Sequence, residues 1–377
     1  THYSDSKLFY ASKANLSIGL IQLIYSTGIG VDVVSGGELF TALKAGVNPC
    51  DIIFHGNNKS FDDIHEAVNQ GITIIIDNEL DMSNIISACD RLKTTATVIF
   101  RIKPGIQADT HRHIQTGHDS SKFGLSFEDA LPFIQKAHQD DRLHFLGLHS
   151  HLGSQLFDLD SYDILTRVLL GHMRELKGID IPCSYLNLGG GFGVPYLPSD
   201  ASFDLEAFVI RITSLITSFC DEHSIDQPSL CFEPGRFLVA QPGMTLYRVG
   251  AIKTVSPQLT YLCVDGGMAD NPRPILYDSI YHFSLIQTNP SSEKVTYTIA
   301  GPFCESGDIL AHQVNLPEAS TGDLLVVFGT GAYNYSMASN YNRSLKPATV
   351  LVGEKRSQVL VKRQTYYDLI AQDCALS

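Results

Sequence analysis

The sequence has eight cysteines (Cys50, Cys89, Cys183, Cys220, Cys231, Cys263, Cys304 and Cys374) but no C-x-x-C pair. Scattered through so long a chain, they fit reduced thiols better than a disulfide framework or a zinc site. Most are expected to serve as small buried apolar residues. No apolar run approaches the roughly 18 residues that read as a membrane span, and no charged-then-apolar leader opens the chain, so a cytoplasmic protein is expected. Basic charge is also scarce. With 27 Lys and Arg against 40 Asp and Glu the net charge is −13, which argues against nucleic acid or an anionic membrane as partner and favours a small molecule. There is no solenoid repeat, low-complexity tract or long linker. At 377 residues the chain exceeds one ordinary core, so two domains are expected.

What is present is a regular alternation. Short β-branched or aromatic runs at residues 8–12, 31–34, 51–54, 73–76, 97–102, 145–149, 185–188 and 230–232 read as strands. Amphipathic stretches at 16–25, 37–45, 61–69, 81–92, 127–138, 162–176 and 203–223 read as the helices between them. Eight such units predict an α/β fold, a (β/α)8 barrel of the TIM type over residues 1–243, rather than a doubly wound sheet. Beyond Gly243 the texture changes to strands separated by Gly, Pro, Asn and Asp clusters, at 246–254, 259–265, 280–287, 294–299, 323–328, 348–352 and 359–363. Residues 244–377 therefore predict a C-terminal all-β domain with a short terminal helix at 366–371.

Catalytic groups of a barrel gather at the carboxyl ends of its strands, and the loops after strands seven and eight often hold a phosphate. Lys13 follows the first predicted strand, Asp32 lies in the second, and His149 and His151 end the sixth. The run Gly189-Gly190-Gly191-Phe192-Gly193 follows the seventh, and Glu233-Pro234-Gly235-Arg236 the eighth. A lysine, a glycine cradle open to phosphate oxygens and a carboxylate on one face point to pyridoxal 5′-phosphate: lysine for a Schiff base, carboxylate for the pyridine nitrogen. Each element also has a plain reading. A lysine is usually a solvated charge, a glycine run is common turn punctuation, and Glu233 with Arg236 could be a turn carrying an ion pair. His149 and His151 could be metal ligands, but no third ligand at useful spacing is evident. No metal is expected, and stacking of one imidazole on a ring is the better use.

Further motifs complete the pattern: Tyr10-Ala11-Ser12-Lys13-Ala14-Asn15, His151-Leu152-Gly153-Ser154-Gln155, Cys304-Glu305-Ser306-Gly307-Asp308 and Gly331-Ala332-Tyr333. With the two glycine-bearing turns they stand in the order of the fold-type III pyridoxal-phosphate decarboxylases. Over nearly the whole length the chain most resembles the diaminopimelate decarboxylases among them. That resemblance implies that Lys13 carries the cofactor, with Asp32 near it, His151 on the ring and Glu233 at its nitrogen. It implies that Ser154, Gly191, Gly235 and Arg236 serve the phosphate, with Arg236 also touching substrate. Arg273 and Tyr277 would grip the substrate's far end, and Tyr333 would touch cofactor and substrate. Cys304 would be a proton donor and Glu305 an acceptor for the substrate amine, both reaching in from the neighbouring subunit of a homodimer. Members of the family usually carry a few dozen residues before the lysine strand, whereas Lys13 stands close to the first residue given.

The implied reaction is decarboxylation of meso-2,6-diaminopimelate to L-lysine and carbon dioxide, the last step of lysine biosynthesis. The nearest rival is decarboxylation of ornithine, lysine or arginine on the same fold. Such substrates end in a cation, and Arg273 suits a carboxylate instead. A rival of another kind is a catalytically inactive homologue that only binds the cofactor, against which Lys13, Glu233 and Cys304 all weigh.

Overall fold

The computed structural model describes residues 3, 5–105, 121–287 and 290–376. The chain divides into two compact units: Thr1–Gly193 with Ser202–Phe237, and Val194–Ala201 with Leu238–Ser377. The division thus falls a few residues before the expected 243/244 boundary, and a short excursion after the glycine run joins the second unit.

In the first unit β1 (Ser6–Ala11), β2 (Gly30–Val33), β3 (Ile52–Phe54), β4 (Thr73–Ile76), β5 (Ala96–Arg101), β6 (Leu143–His149), β7 (Tyr185–Asn187) and β8 (Ser229–Phe232) close in sequence order into a parallel barrel. The predicted (β/α)8 architecture is the observed one. Helices α1 (Ile18–Tyr25), α2 (Gly36–Lys44), α3 (Phe61–Gln70), α4 (Glu79–Leu92), α5 (Phe127–Gln139), α6 (Leu159–Lys177) and α7 (Leu205–His223) follow the first seven strands in turn, and a single turn α8 (Arg236–Val239) follows the eighth.

Local chemistry sets where the seven long helices begin. Ser17, Ser35, Ser60, Asn78, Ser126, Asp158 and Asp204 each sit in a non-helical conformation and accept a hydrogen bond from a backbone N–H of the first turn. Such a cap satisfies a donor that the helix itself leaves unpaired, worth about 1 kcal/mol apiece. The barrel interior is filled by Phe9, Ile53, Ile75, Ile99, Tyr185 and Cys231, contributed by six different strands.

The second unit is built on a six-stranded sheet in the order β11-β14-β9-β10-β12-β13. Its strands are β9 (Met244–Ser256), β10 (Leu259–Val264), β11 (Phe283–Ile286), β12 (Lys294–Ala300), β13 (Ile309–Pro317) and β14 (Leu324–Phe328). Pairing is antiparallel except between β10 and β12. Tyr247, Val249, Leu262, Tyr297, Ile299, Leu310, Leu325 and Val327 lie in its core. A short helix α9 (Arg273–Tyr277), a two-stranded ribbon of β15 (Thr349–Val352) and β16 (Ser357–Val361), and α10 (Tyr366–Ile370) complete it.

Two expectations need correction. Strand β13 is absent from the sequence reading because its alternation is broken: Gln313 takes φ +52°, and the β12–β13 register shifts nearby. Of the eight cysteines, all free, only Cys89, Cys220 and Cys231 are buried; Cys50, Cys304 and Cys374 are exposed. The prevalence of buried thiols was therefore overstated. Among the described residues no helix is long and apolar enough to cross a membrane.

The pairing of β6 with β7 brings the two backbones close at Gly147. A methyl group there would overlap the carbonyl oxygen of Tyr185 on β7, in backbone that cannot retreat without breaking the ladder between the two strands. Gly147→Ala should therefore cost about 1–3 kcal/mol, lowering the thermal midpoint by several degrees. An unchanged melting curve would show that the ladder yields.

Candidate active site

Each barrel strand delivers a polar side chain at or just beyond its carboxyl end. Lys13 follows β1 in a short 3-10 turn (Ser12–Ala14), Asp32 lies in β2, His55 follows β3 and Asp77 follows β4. Arg101 ends β5, His149 ends β6, Asn187 ends β7 and Glu233 follows β8. Lys13, Asp32, His55, Arg101, His149 and Glu233 line one cavity of about 660 Å3, which His151 and Ser154 also border. Lys13 is exposed, whereas Asp32, His55, His149 and Glu233 are all buried.

Glu233 is the most heavily hydrogen-bonded group there. Its Oε1 lies 2.7 Å from His55 Nε2 and accepts from Asn187 Nδ2 at 2.7 Å. Its Oε2 lies 3.2 Å from His149 Nε2. Burial alone would push a proton onto this carboxyl, but the two imidazoles and their hydrogen bonds outweigh that and hold it well below the usual carboxylate range. His149 is pushed down to about 4, chiefly by burial, so at neutral pH it is an uncharged N–H donor to an anion. Its Nδ1 is buried with no hydrogen-bond partner among the described residues.

Asp32 behaves oppositely. Its Oδ1 is buried and without a hydrogen bond among the described residues, with His55 Nε2 3.8 Å away. Burial first, then His55 in opposition and Glu233 in support, leave its carboxyl raised to about 6. His151, half-buried, accepts a bond from Gly190 N through Nδ1 at 3.2 Å, and burial together with the charge of Lys13 holds it uncharged.

The glycine run packs backbone on backbone. A side chain at Gly190 would overlap the carbonyl oxygen of Glu233, and one at Gly191, where φ is +102°, would overlap that of Gly153. Only glycine allows the backbones to approach so closely. Asn187 Oδ1 accepts from Gly189 N at 2.9 Å, tying the run to the group that also holds Glu233. Arg236, buried, donates from Nη2 to Ser154 Oγ at 3.0 Å, and Gly235 lies against Ala11 and Ala14 beside Lys13. Lys13, Asp32, His151, Ser154, Gly191, Glu233, Gly235 and Arg236 thus all belong to this unit.

The remaining five predicted residues belong to the second unit. Arg273 opens α9, buried, with its guanidinium 4.9 Å from the ring centre of Tyr277 and 5.4 Å from that of Tyr333. Its Nε has no hydrogen-bond partner among the described residues. Tyr333 takes φ +61°. Cys304 and Glu305 are exposed on the loop leading to β13, where Cys304 N donates to Asn342 Oδ1 at 2.9 Å. Asp308, buried, accepts from Phe303 N and Met268 N and so anchors the same loop.

Residues 1–240 match the family model described as the pyridoxal binding domain of pyridoxal-dependent decarboxylases. The chain belongs to that family. It is 41% identical over 382 residues to the diaminopimelate decarboxylase of Synechocystis sp., covering 99% of this chain and 81% of that protein. The corresponding enzyme of Bacillus subtilis is 39% identical, with 98% and 85% covered. A crystal structure of diaminopimelate decarboxylase from M. jannaschii in co-complex with L-lysine superposes with a TM-score of 0.91 at 34% identity, covering 99% of this chain and 85% of that one.

The family's cofactor is pyridoxal 5′-phosphate, and the chemistry of the donor set fits it: Lys13 and Glu233, a buried carboxylate held anionic, line the same cavity. His55, His149 and Glu233 also bring three potential metal ligands within 4.8 Å of one another, a set that holds His149 but not His151 of the pair considered in the sequence. These atoms already bond each other, so the set acts as a clamp on Glu233.

His55, Asn187, Asp77 and Arg101 were missed from the sequence. The signal that singled out Lys13, a polar residue just past a barrel strand, applied equally to His55 and Arg101. It was too common to use without knowing which ones face the cavity.

The opposed shifts of Asp32 and His149 give a test in the cofactor-free protein. The unfolded His149 imidazole takes its proton near pH 6.5 and the folded one only near 4, so this residue loses stability for the fold as pH falls through that window. Folded Asp32 takes its proton near 6 and unfolded Asp32 near 3.8, so it adds stability over much the same window. Between pH 6.5 and 4, Asp32→Asn should make the fall in thermal midpoint steeper than in wild type, and His149→Gln should make it shallower. Parallel curves for all three proteins would contradict both shifts.

Proposed function

We propose that the chain is a pyridoxal-phosphate-dependent decarboxylase converting meso-2,6-diaminopimelate to L-lysine and carbon dioxide. The observation that carries the chemistry is Glu233, a buried carboxylate kept anionic by three N–H donors. When bound, the cofactor supplies an electron sink for the pair released as a substrate carboxylate departs. Lys13 Nζ holds the cofactor covalently, and Glu233 holds its ring nitrogen protonated. His151 covers a ring face, while Asp32 lies near Lys13. Ser154, Gly191, Gly235 and Arg236 seat the phosphate. Cys304 Sγ holds the proton that takes the place of the lost carboxylate at the α-carbon, Glu305 takes the substrate amine, and Tyr333 orients cofactor and substrate.

Substrate choice rests on Arg273 with Tyr277. A buried guanidinium whose Nε has no hydrogen-bond partner among the described residues suits a distal carboxylate and repels the terminal ammonium of ornithine or lysine. The identity to diaminopimelate decarboxylases over 98–99% of the chain supports the same reading. The protein is further read as a cytoplasmic homodimer in which Cys304 and Glu305 serve the partner's site.

Carbon dioxide release measured side by side with meso-diaminopimelate, ornithine, lysine and arginine should favour the first. Arg273→Ala should lose roughly 30-fold or more in kcat/KM for diaminopimelate, as expected when one partner of a buried charged pair is removed. The loss should be far smaller for substrates lacking the distal carboxylate. A preference for ornithine, or an unaffected Arg273→Ala, would overturn the substrate assignment.

Subunit sharing has its own test. Lys13→Ala and Cys304→Ala should each be inactive alone, yet regain about a quarter of wild-type activity in an equal random mixture, since each heterodimer then holds one intact site. Mixtures that stay inactive despite demonstrated subunit exchange would place both residues in one chain's site.

A further inference from the structure

His55 follows β3 with its backbone N–H bonded to Val33 O at 2.8 Å, and the residue is only 5% exposed. Its Nε2 makes one of the two shortest contacts to Glu233, 2.7 Å, and its ring meets that of His149 edge-on at 4.7 Å between centres. Glu233 is therefore held by side chains from three different strand ends: His55 after β3, His149 of β6 and Asn187 of β7. Asn187 and His149 belong to neighbouring strands in register. His55 approaches from another part of the barrel and closes the set.

The turn that carries His55 is itself locked. Lys59, buried at 5% exposure, donates from Nζ to Gly56 O at 2.6 Å, to Ile75 O at 2.9 Å and to Asp81 Oδ2 at 2.6 Å. Asp81 Oδ2 also accepts from Asp77 N at 3.0 Å. One ammonium thus ties the residue next to His55 to β4 and to the start of α4. Gly56 takes φ +128°, and a Cβ there would press on Lys59 and on Val34 O at 3.2 Å. A lysine so deeply buried, with one donor on the residue after His55 and the others on β4 and α4, is a device for fixing backbone rather than a surface charge.

We propose that His55 is a positioning residue for the cofactor's ring nitrogen: its Nε2–H fixes the direction of the Glu233 carboxylate, and Lys59 fixes His55. This rests on the reading that Glu233 meets the ring nitrogen. The imidazole touches the carboxylate and acts on the ring only through it. A donor fixed on one carboxylate oxygen sets the plane of the carboxylate that faces the ring nitrogen.

The test compares pyridoxal 5′-phosphate with its 1-deaza analogue, in which carbon replaces the ring nitrogen. Binding of each to the cofactor-free protein is followed by fluorescence, and folding is checked by thermal melting. His55→Ala should weaken pyridoxal phosphate by about tenfold or more, the range for loss of a hydrogen bond to a charged group. It should weaken the analogue by less than about threefold. His55→Gln, whose amide can place an N–H near the same point, should recover most of the difference, and His55→Leu should not. Should the alanine variant fail to fold, the glutamine and leucine pair carries the same comparison.

Equal weakening of both ligands, or of neither, would reduce His55 to a structural role and overturn the proposal. Glu233→Gln is the control that separates the two readings. If it discriminates between the ligands and the His55 variants do not, only the proposal for His55 falls. If Glu233→Gln itself does not discriminate, the ring-nitrogen reading falls and takes the proposal with it.

Discussion

A carboxylate enclosed in protein is costly unless its lone pairs are met by donors, and Glu233 has been given three. That requirement organises the carboxyl end of the barrel. Register places His149 opposite Asn187, and Asn187 opposite Cys231, two residues before Glu233. Had any of these strands slipped by one residue, the donor would face the wrong side of the sheet and the anion would be left unpaired. The same Asn187 reaches back to Gly189 N, so the group that supports Glu233 also shapes the glycine run.

Two carboxylates in one cavity are thereby given different characters. Glu233, surrounded by N–H groups, stays ionised; Asp32, buried and with one oxygen lacking a partner among the described residues, has its carboxyl raised to about 6. The difference lies in neighbours, since both are buried. His149 gives up its charge for the same reason that Glu233 keeps its own: an uncharged imidazole can sit in the interior and still donate.

Much of this was legible in the chain. Eight strands followed by helices could be counted from periodicity, and the residues capping the seven long helices are of the polar types that caps require. Lys13, the glycine run and Glu233 stood out because lysine, glycine and glutamate at strand ends have few structural reasons to be there together. His55 and Asn187 did not stand out, because a single histidine or asparagine after a short strand is unremarkable until its partner is known. Strand β13 was hidden by one residue, Gln313, whose left-handed backbone interrupts the alternation on which strand reading depends.

Sequence alone determined the architecture and the chemical kit, because hydrophobic period and turn chemistry are local and act within a few residues. Tertiary structure decided which members of that kit meet. His55 and Glu233 are 178 residues apart in the chain and 2.7 Å apart in space, and Lys59 reaches Asp81 across 22 residues. Closure of the barrel creates such contacts, and the burial that accompanies closure sets which of the groups are charged.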